Sequence, residues 1–159
     1  MIKRFGFLII ILFAAGCAAP PPATVSGADD ARATLMEFLT LLNTGNYQEA
    51  VPLYGGEYEA LQVFNPEIAP SDRLGLWRWA CENRLLQCLE VRSAILLHQE
   101  GDTYVFQVEF NNPDGSLFVL GPCCGANETE MPPVSEFEFT VTRNAEDRFV
   151  ILNTPPYVP

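Results

Sequence analysis

The chain reads as an α+β domain: N-terminal helices packed on a curved, about four-stranded antiparallel sheet, standing behind an export leader. Apolar residues in the first half recur with the 3.6-residue period of helices, and those in the second half alternate with the period of strands. The period switches once, near Cys88. A run of helices followed by a run of strands describes segregated layers rather than alternating strand–helix units.

The first helix lies in the stretch Asp30 to Tyr54, DARATLMEFLTLLNTGNYQEAVPLY. Ala31, Leu35, Phe38, Leu39 and Leu42 fall at i, i+4, i+7, i+8 and i+11, one apolar stripe that must be buried. Asp29 or Asp30 suits the positive end of that helix, where free backbone N–H groups need acceptors. Gly45 supplies the positive φ that ends it, and Asn46 with Glu49 has the spacing of a capping box for a second helix. Pro52 removes a donor inside that second helix, which should therefore be brief and end at Gly55-Gly56. A short helical turn follows around Tyr58, Leu61 and Val63, and the prolines of FNPEIAP mark a loop. Ser71 or Asp72 caps a further helix to about Asn83, with Leu74, Trp77 and Cys81 on one face and Trp79 elsewhere.

From Cys88 onward strands are expected. Leu89, Val91, Ile95 and Leu97 alternate with Glu90, Arg92 and His98, and Glu100-Gly101-Asp102 makes a hairpin turn. In the return strand, Thr103 to Asn111, Tyr104, Phe106, Val108 and Phe110 point inward while Gln107 and Glu109 point outward. Asn112 to Ser116 is a second turn, in which Asp114 bonds its own backbone, and it feeds Leu117 to Leu120. Gly121 to Pro133, GPCCGANETEMPP, is a loop longer than most connections inside a compact domain. Two more strands follow, one with Phe137, Phe139 and Val141 against Glu136, Glu138 and Thr140, the other from Phe149 to Asn153. Pro155 and Pro156 end the sheet.

The start of the chain predicts a tether. Residues 1–16 place Lys3 and Arg4 before an apolar run from Phe5 to Phe13 and then Ala14-Ala15-Gly16, the three-part layout of a secretory signal peptide. The run is well short of the roughly 20 apolar residues that a spanning helix needs. AAGC resembles the lipobox of bacterial lipoproteins, although Ala14 stands where that family more often has Leu. The resemblance implies lipidation of Cys17 on its thiol, a new N-terminus there, and a protein anchored to the cell membrane on its extracytoplasmic face. Several acyl chains, at about 0.8 kcal/mol per buried CH₂, hold such a protein almost permanently. Residues 17–28 then form a stalk rich in Pro, Ala, Ser and Gly, and 29–159 make a single domain of about 130 residues, enough for one core. Loss of the leader removes two positive charges and takes the net charge from −11 to −13. A surface that acidic repels phosphate backbones, so no nucleic-acid partner is expected.

Four cysteines lie in the domain, Cys81, Cys88, Cys123 and Cys124. An even number in an exported chain predicts structural disulfides, with three connectivities open. Cys81 and Cys88 can meet if ENRLLQ is a loop, leaving Cys123 and Cys124 to form a vicinal bridge; alternatively the two pairs cross-link. On one unbroken helix Cys81 and Cys88 would stand about 10 Å apart, beyond bridging. The spacing lacks the paired C-x-x-C of zinc modules, so no metal site is expected.

The element order, together with FLTLLNTGNYQEAVPLY, resembles the nuclear transport factor 2-like, cystatin-like cone fold, including small bacterial lipoproteins that carry it. The fold hosts enzymes and non-enzymes alike, and it does not settle function. In the enzymes, the resemblance implies an Asp or Glu, often with His or Tyr, inside the pocket between sheet and helices. Here the inward strand positions are almost all apolar, and the only histidine, His98, falls on the outward phase. Glu82 and Glu109 are the carboxylates whose chain positions come nearest to a base. Tyr47, Tyr54, Tyr58 and Trp77 are candidates to line a site for a small apolar ligand, though the same rings also read as core. No nucleophile elbow, phosphate loop or dinucleotide fingerprint occurs, and no cofactor or catalytic residue is assigned. The sequence therefore predicts a lipid-anchored, non-catalytic module that uses the cone or the loop bearing Cys123 and Cys124 to meet an unknown protein or small-molecule partner, with a pocket enzyme of the isomerase, dehydratase or hydrolase kind as the alternative.

Overall fold

The computed structural model describes residues 27–158. The leader, Cys17 and the linker up to residue 26 lie outside the described residues. Four α-helices precede the sheet: α1 (Gly27–Asn43), α2 (Tyr47–Ala50), α3 (Glu59–Val63) and α4 (Arg73–Glu82), with a 3₁₀ turn at Val51–Leu53. Strands β1 (Glu90–Glu100), β2 (Thr103–Asn111), β3 (Phe137–Arg143) and β4 (Phe149–Ile151) form one antiparallel sheet in the order β1-β2-β3-β4. This is the α+β arrangement that the two periods predict, helices on one face of an open sheet.

The buried residues of α1 are Ala31, Leu35, Phe38, Leu39 and Leu42, the five of the expected stripe. The helix starts two residues before the expected domain boundary, so Gly27 and Ala28 belong to the domain rather than to a stalk. Ala28 packs against the core, and a Cβ at Gly27 would collide with the Tyr104 hydroxyl. Asp29 and Asp30 lie in the first turn, where the helix dipole favours them. At the other end Gly45 takes φ +77°, its N–H donates to Leu42 O, and the Asn46 N–H donates to Leu41 O, the paired bonds of a Schellman motif. The capping box does not form. The Asn46 amide donates to Thr44 Oγ1 instead and gives α2 no side-chain cap. Pro52 ends α2 by tightening it into the 3₁₀ turn. Asp72 caps α4 by accepting from the Gly75 N–H at 2.9 Å.

The strands keep the expected alternation except in β1. Tyr104, Phe106, Val108 and Phe110 of β2 are buried, and Phe139 and Val141 of β3 face the same core. In β1 the pairing steps from Val91↔Phe110 to Ser93↔Glu109 and from Leu96↔Phe106 to His98↔Val105, so Arg92 and Leu97 are extra residues. A bulge reverses the side-chain phase. Ala94 and not Ile95 faces the core, Ile95 is 57% exposed, and Leu97 is also exposed. Residues 117–120 make only the isolated bridges Asn111↔Leu117 and Leu120↔Val134, not a strand.

The free side of β4 meets the helical layer through a parallel bridge, Tyr54↔Ile151, with the Gly55 N–H donating to Ile151 O. This approach requires glycine, because a Cβ at Gly56 would collide with the Leu152 carbonyl oxygen and the Tyr54 ring. We predict that Gly56→Ala destabilises the domain by more than about 1 kcal/mol through forced repacking. Gly121→Ala, placed in open space, should leave the denaturation midpoint unchanged. Urea unfolding of the two variants checks the difference.

Candidate functional site

Three of the four candidate pocket residues come together, but ring against ring. Tyr54 lies edge-on to Trp77 at 5.0 Å between centroids and to Tyr58 at 5.2 Å, and Phe38 of α1 lies edge-on to Trp77 at 5.5 Å. Trp77 is fully buried, its Nε1–H donating to Tyr58 Oη at 3.1 Å. The Tyr54 hydroxyl donates to Glu57 O at 3.1 Å, and the Arg73 guanidinium sits over the Tyr58 ring. Tyr54 and Trp77 are therefore packed in the core, with Tyr58 half-buried against it. Edge-to-face pairs at these spacings are favourable beyond the area they bury. Tyr47, also buried, stands apart from them beside Gly45, Leu74 and Arg78.

Burial shifts the phenols. It pushes Tyr54 from 10.0 up to about 12, with Tyr58 and Glu57 adding to the effect. Tyr58 is also raised by burial, against the lowering effects of the Trp77 hydrogen bond and Arg73. Tyr47 is raised by burial first and by Glu82 second. Such groups are high-pH acids, not bases for neutral chemistry.

The candidate carboxylates stay outside this interior. Glu82 is exposed at the end of α4. Glu109 projects from the face of β2 opposite the core and accepts from Ser93 Oγ at 2.9 Å. His98 is exposed on β1, next to the Leu97 bulge. Asp114 is held low by the hydroxyl and backbone N–H of Ser116, both of which donate to it, so it is a turn residue. Asn65 is the buried polar side chain of the core, and its amide nitrogen has no hydrogen-bond partner among the described residues.

The cysteines separate into two kinds. Cys81 and Cys88 are bridged with their Cα atoms 5.5 Å apart. The bridge is possible because α4 ends at Glu82 and Arg84 takes φ +58°, turning the chain back on itself. Cys123 and Cys124 are not bridged to it: they stand as thiols with Sγ atoms 2.7 Å apart, which corrects the expectation that all four are in structural disulfides. Cross-linking between the pairs is ruled out because Cys81 and Cys88 are already partners. The hydrogen bond to Cys124 pushes the Cys123 thiol pKa up, with desolvation adding to it.

What the sequence did not single out is an open groove of about 790 Å³ on the surface beside these thiols. Phe118, Val119 and Leu120 form its apolar wall, Cys123 and Cys124 its rim, and Arg84 is the charged side chain among its described lining residues. The far wall is built by the C-terminal segment, which is fastened to the α4–β1 link. Gln87 N–H donates to Pro156 O and Val158 N–H to Leu85 O. No residue in 117–124 carries a periodic signal that would have marked this wall, since it is irregular loop.

Among the described residues no group of three or more His, Cys, Asp or Glu is placed to hold a metal ion, and no helix is long and apolar enough to cross a membrane. No protein-family model matches the chain, and the curated proteins hold no significant relative of it.

Two outcomes are expected. As pH rises above 10 the unfolded chain loses phenolic protons before Tyr54 does, so folding stability falls between pH 10 and about 12 and levels off beyond. Tyr54→Phe should remove the phenolate absorbance step near pH 12 and flatten that fall. Replacing both Cys81 and Cys88 by Ser should cost about 2.5 kcal/mol by the chain-entropy estimate for this short loop, read as a lower urea midpoint.

Proposed function

We propose that the chain is a lipid-anchored extracytoplasmic module, tethered through acyl chains on Cys17, that binds a protein or small-molecule partner without catalysing a reaction. The observation that carries this reading is the contrast between the two spaces in the molecule. Phe38, Tyr54, Tyr58 and Trp77 close on one another among the helical segments, whereas the apolar groove along Phe118 to Cys124 is open to solvent. An apolar surface groove with a cation in its lining, on a chain of net charge −11, suits an apolar molecule or peptide segment with a negative group for Arg84.

The Cys81–Cys88 bridge supports export, since such bridges persist in oxidising compartments. The order of helices and strands supports a nuclear transport factor 2-like domain. An enzyme on the same scaffold would need a base in the interior, and among the described residues the buried polar side chain is Asn65.

Two measurements test the proposal. The chain recovered from a membrane fraction should begin at Cys17 and carry acyl mass, and Cys17→Ser should release it from that fraction. A mature chain starting elsewhere without lipid would refute the anchor. A photo-reactive residue at Val119 should give adducts in intact cells that the same residue at Glu138, on the outer sheet face, does not. Equal labelling at both positions, or none at either, would refute the groove as the binding surface.

A further inference from the structure

The Cys123-Cys124 pair is built differently from the bridged pair. Its Sγ atoms approach to 2.7 Å, closer than two unbonded sulfurs ordinarily sit, and Cys124 is exposed to solvent. The Ala126 N–H donates to Cys123 O at 2.9 Å, and the two residues between, Cys124 and Gly125, have φ +61° and +88°. These are the φ values of a type I′ turn, whose first central position normally belongs to Asn, Asp or Gly. A cysteine there is held in a left-handed conformation that disfavours side chains, a kind of backbone strain that marks functional loops.

We infer that Cys123 and Cys124 are a reversible thiol–disulfide couple, which closes to a vicinal disulfide by exchange with low-molecular-weight disulfides of the glutathione class and reopens with the corresponding thiol. The inference is independent of the lipid anchor and of what the groove binds. In the forward direction the Cys124 thiolate attacks one sulfur of the small disulfide and expels a thiolate, leaving a mixed disulfide. Cys123 loses its proton and attacks the Cys124 sulfur, expelling the second thiolate and closing the ring. The protein gives up two electrons and two protons, and the small disulfide becomes two thiols.

Cys124 is the attacking sulfur because it is the more exposed, while the contact with Cys124 pushes the Cys123 thiol up. The ring opens easily for a geometric reason. Adjacent Cα atoms are about 3.8 Å apart, short of the roughly 4.4–6.8 Å that disulfides normally span, and strained, exposed bridges are the reducible ones. Cys81 and Cys88, with Cα atoms 5.5 Å apart and partly buried against the core, meet neither condition.

The test equilibrates the full-length protein in glutathione buffers of graded reduced-to-oxidised ratio, quenches with acid, alkylates free thiols and maps the peptides. Under reducing ratios the peptide with Cys123 and Cys124 should carry two alkyl groups while Cys81 and Cys88 carry none. Both groups should be lost in one transition, leaving a peptide lighter by two hydrogens. Its midpoint should lie at a ratio at least about tenfold more oxidising than that of Cys81–Cys88. Cys123→Ser should stop at a stable glutathione adduct on Cys124, because the resolving thiol is gone. Retention of two alkyl groups at every ratio would overturn the inference. So would a glutathione left on the unaltered chain, a disulfide-linked dimer, or a midpoint shared with Cys81–Cys88. The closed Cys81–Cys88 bridge in the same samples reports that the fold is intact.

Discussion

The domain is packed around the indole of Trp77. It brings α4 against Phe38 of α1, Tyr54 at the end of the 3₁₀ turn and Tyr58 at the start of α3, so four separate helical segments share one aromatic cluster. Each edge-to-face pair adds about 0.5–1.5 kcal/mol to the burial of its area. The polar ends are satisfied locally, indole to Tyr58 and the Tyr54 hydroxyl to Glu57. Because the helices are fixed to one another through these rings, α1 can lay its stripe across the sheet. Because the rings pack edge against face, they close the space among those four helical segments.

That closure explains why the sequence was legible in one half of the site and not in the other. The stripe of α1 follows from periodicity alone, since a continuous helix cannot change phase, and all five residues are buried. The rings at Tyr54, Tyr58 and Trp77 were visible as a group, but composition does not say whether rings surround a space or fill it. The centroid distances decide for filling. In β1 the alternation misled beyond Val91, because Ile95 and Leu97 satisfy an unbroken period of two and the bulges at Arg92 and Leu97 leave no local signature in Val, Ile and Leu. The capping box is a spacing signal only, and at Asn46 no side-chain cap bond forms.

The groove lay beyond the sequence because it is made by segments that meet only in the folded chain. The α4–β1 link turns at Arg84, is stapled at Cys81–Cys88, and binds the last residues of the domain through Leu85 and Gln87. Opposite it stands the irregular run from Phe118 to Cys124. A short loop closed by a disulfide is stiff, so one wall of the groove is rigid by construction. The other wall rests on turns and on the isolated bridge of Leu120 to Val134, which leaves it free to respond to what the thiols do.

The same asymmetry orders the cysteines by function. Two pairs of cysteines in one chain behave differently when one pair sits at a distance that a disulfide prefers and the other is forced together by adjacency. The first pair shapes the link that carries Arg84 into the groove; the second lies on the groove's opposite rim. Any covalent change at Cys123 and Cys124 therefore acts on the rim facing the disulfide-stapled link. A site designed for binding alone would have no need of a left-handed cysteine in a tight turn, where Asn or Gly forms the same turn at lower cost. The strain at Cys124 is best understood together with its sulfur contact, because the turn that imposes the one also produces the other.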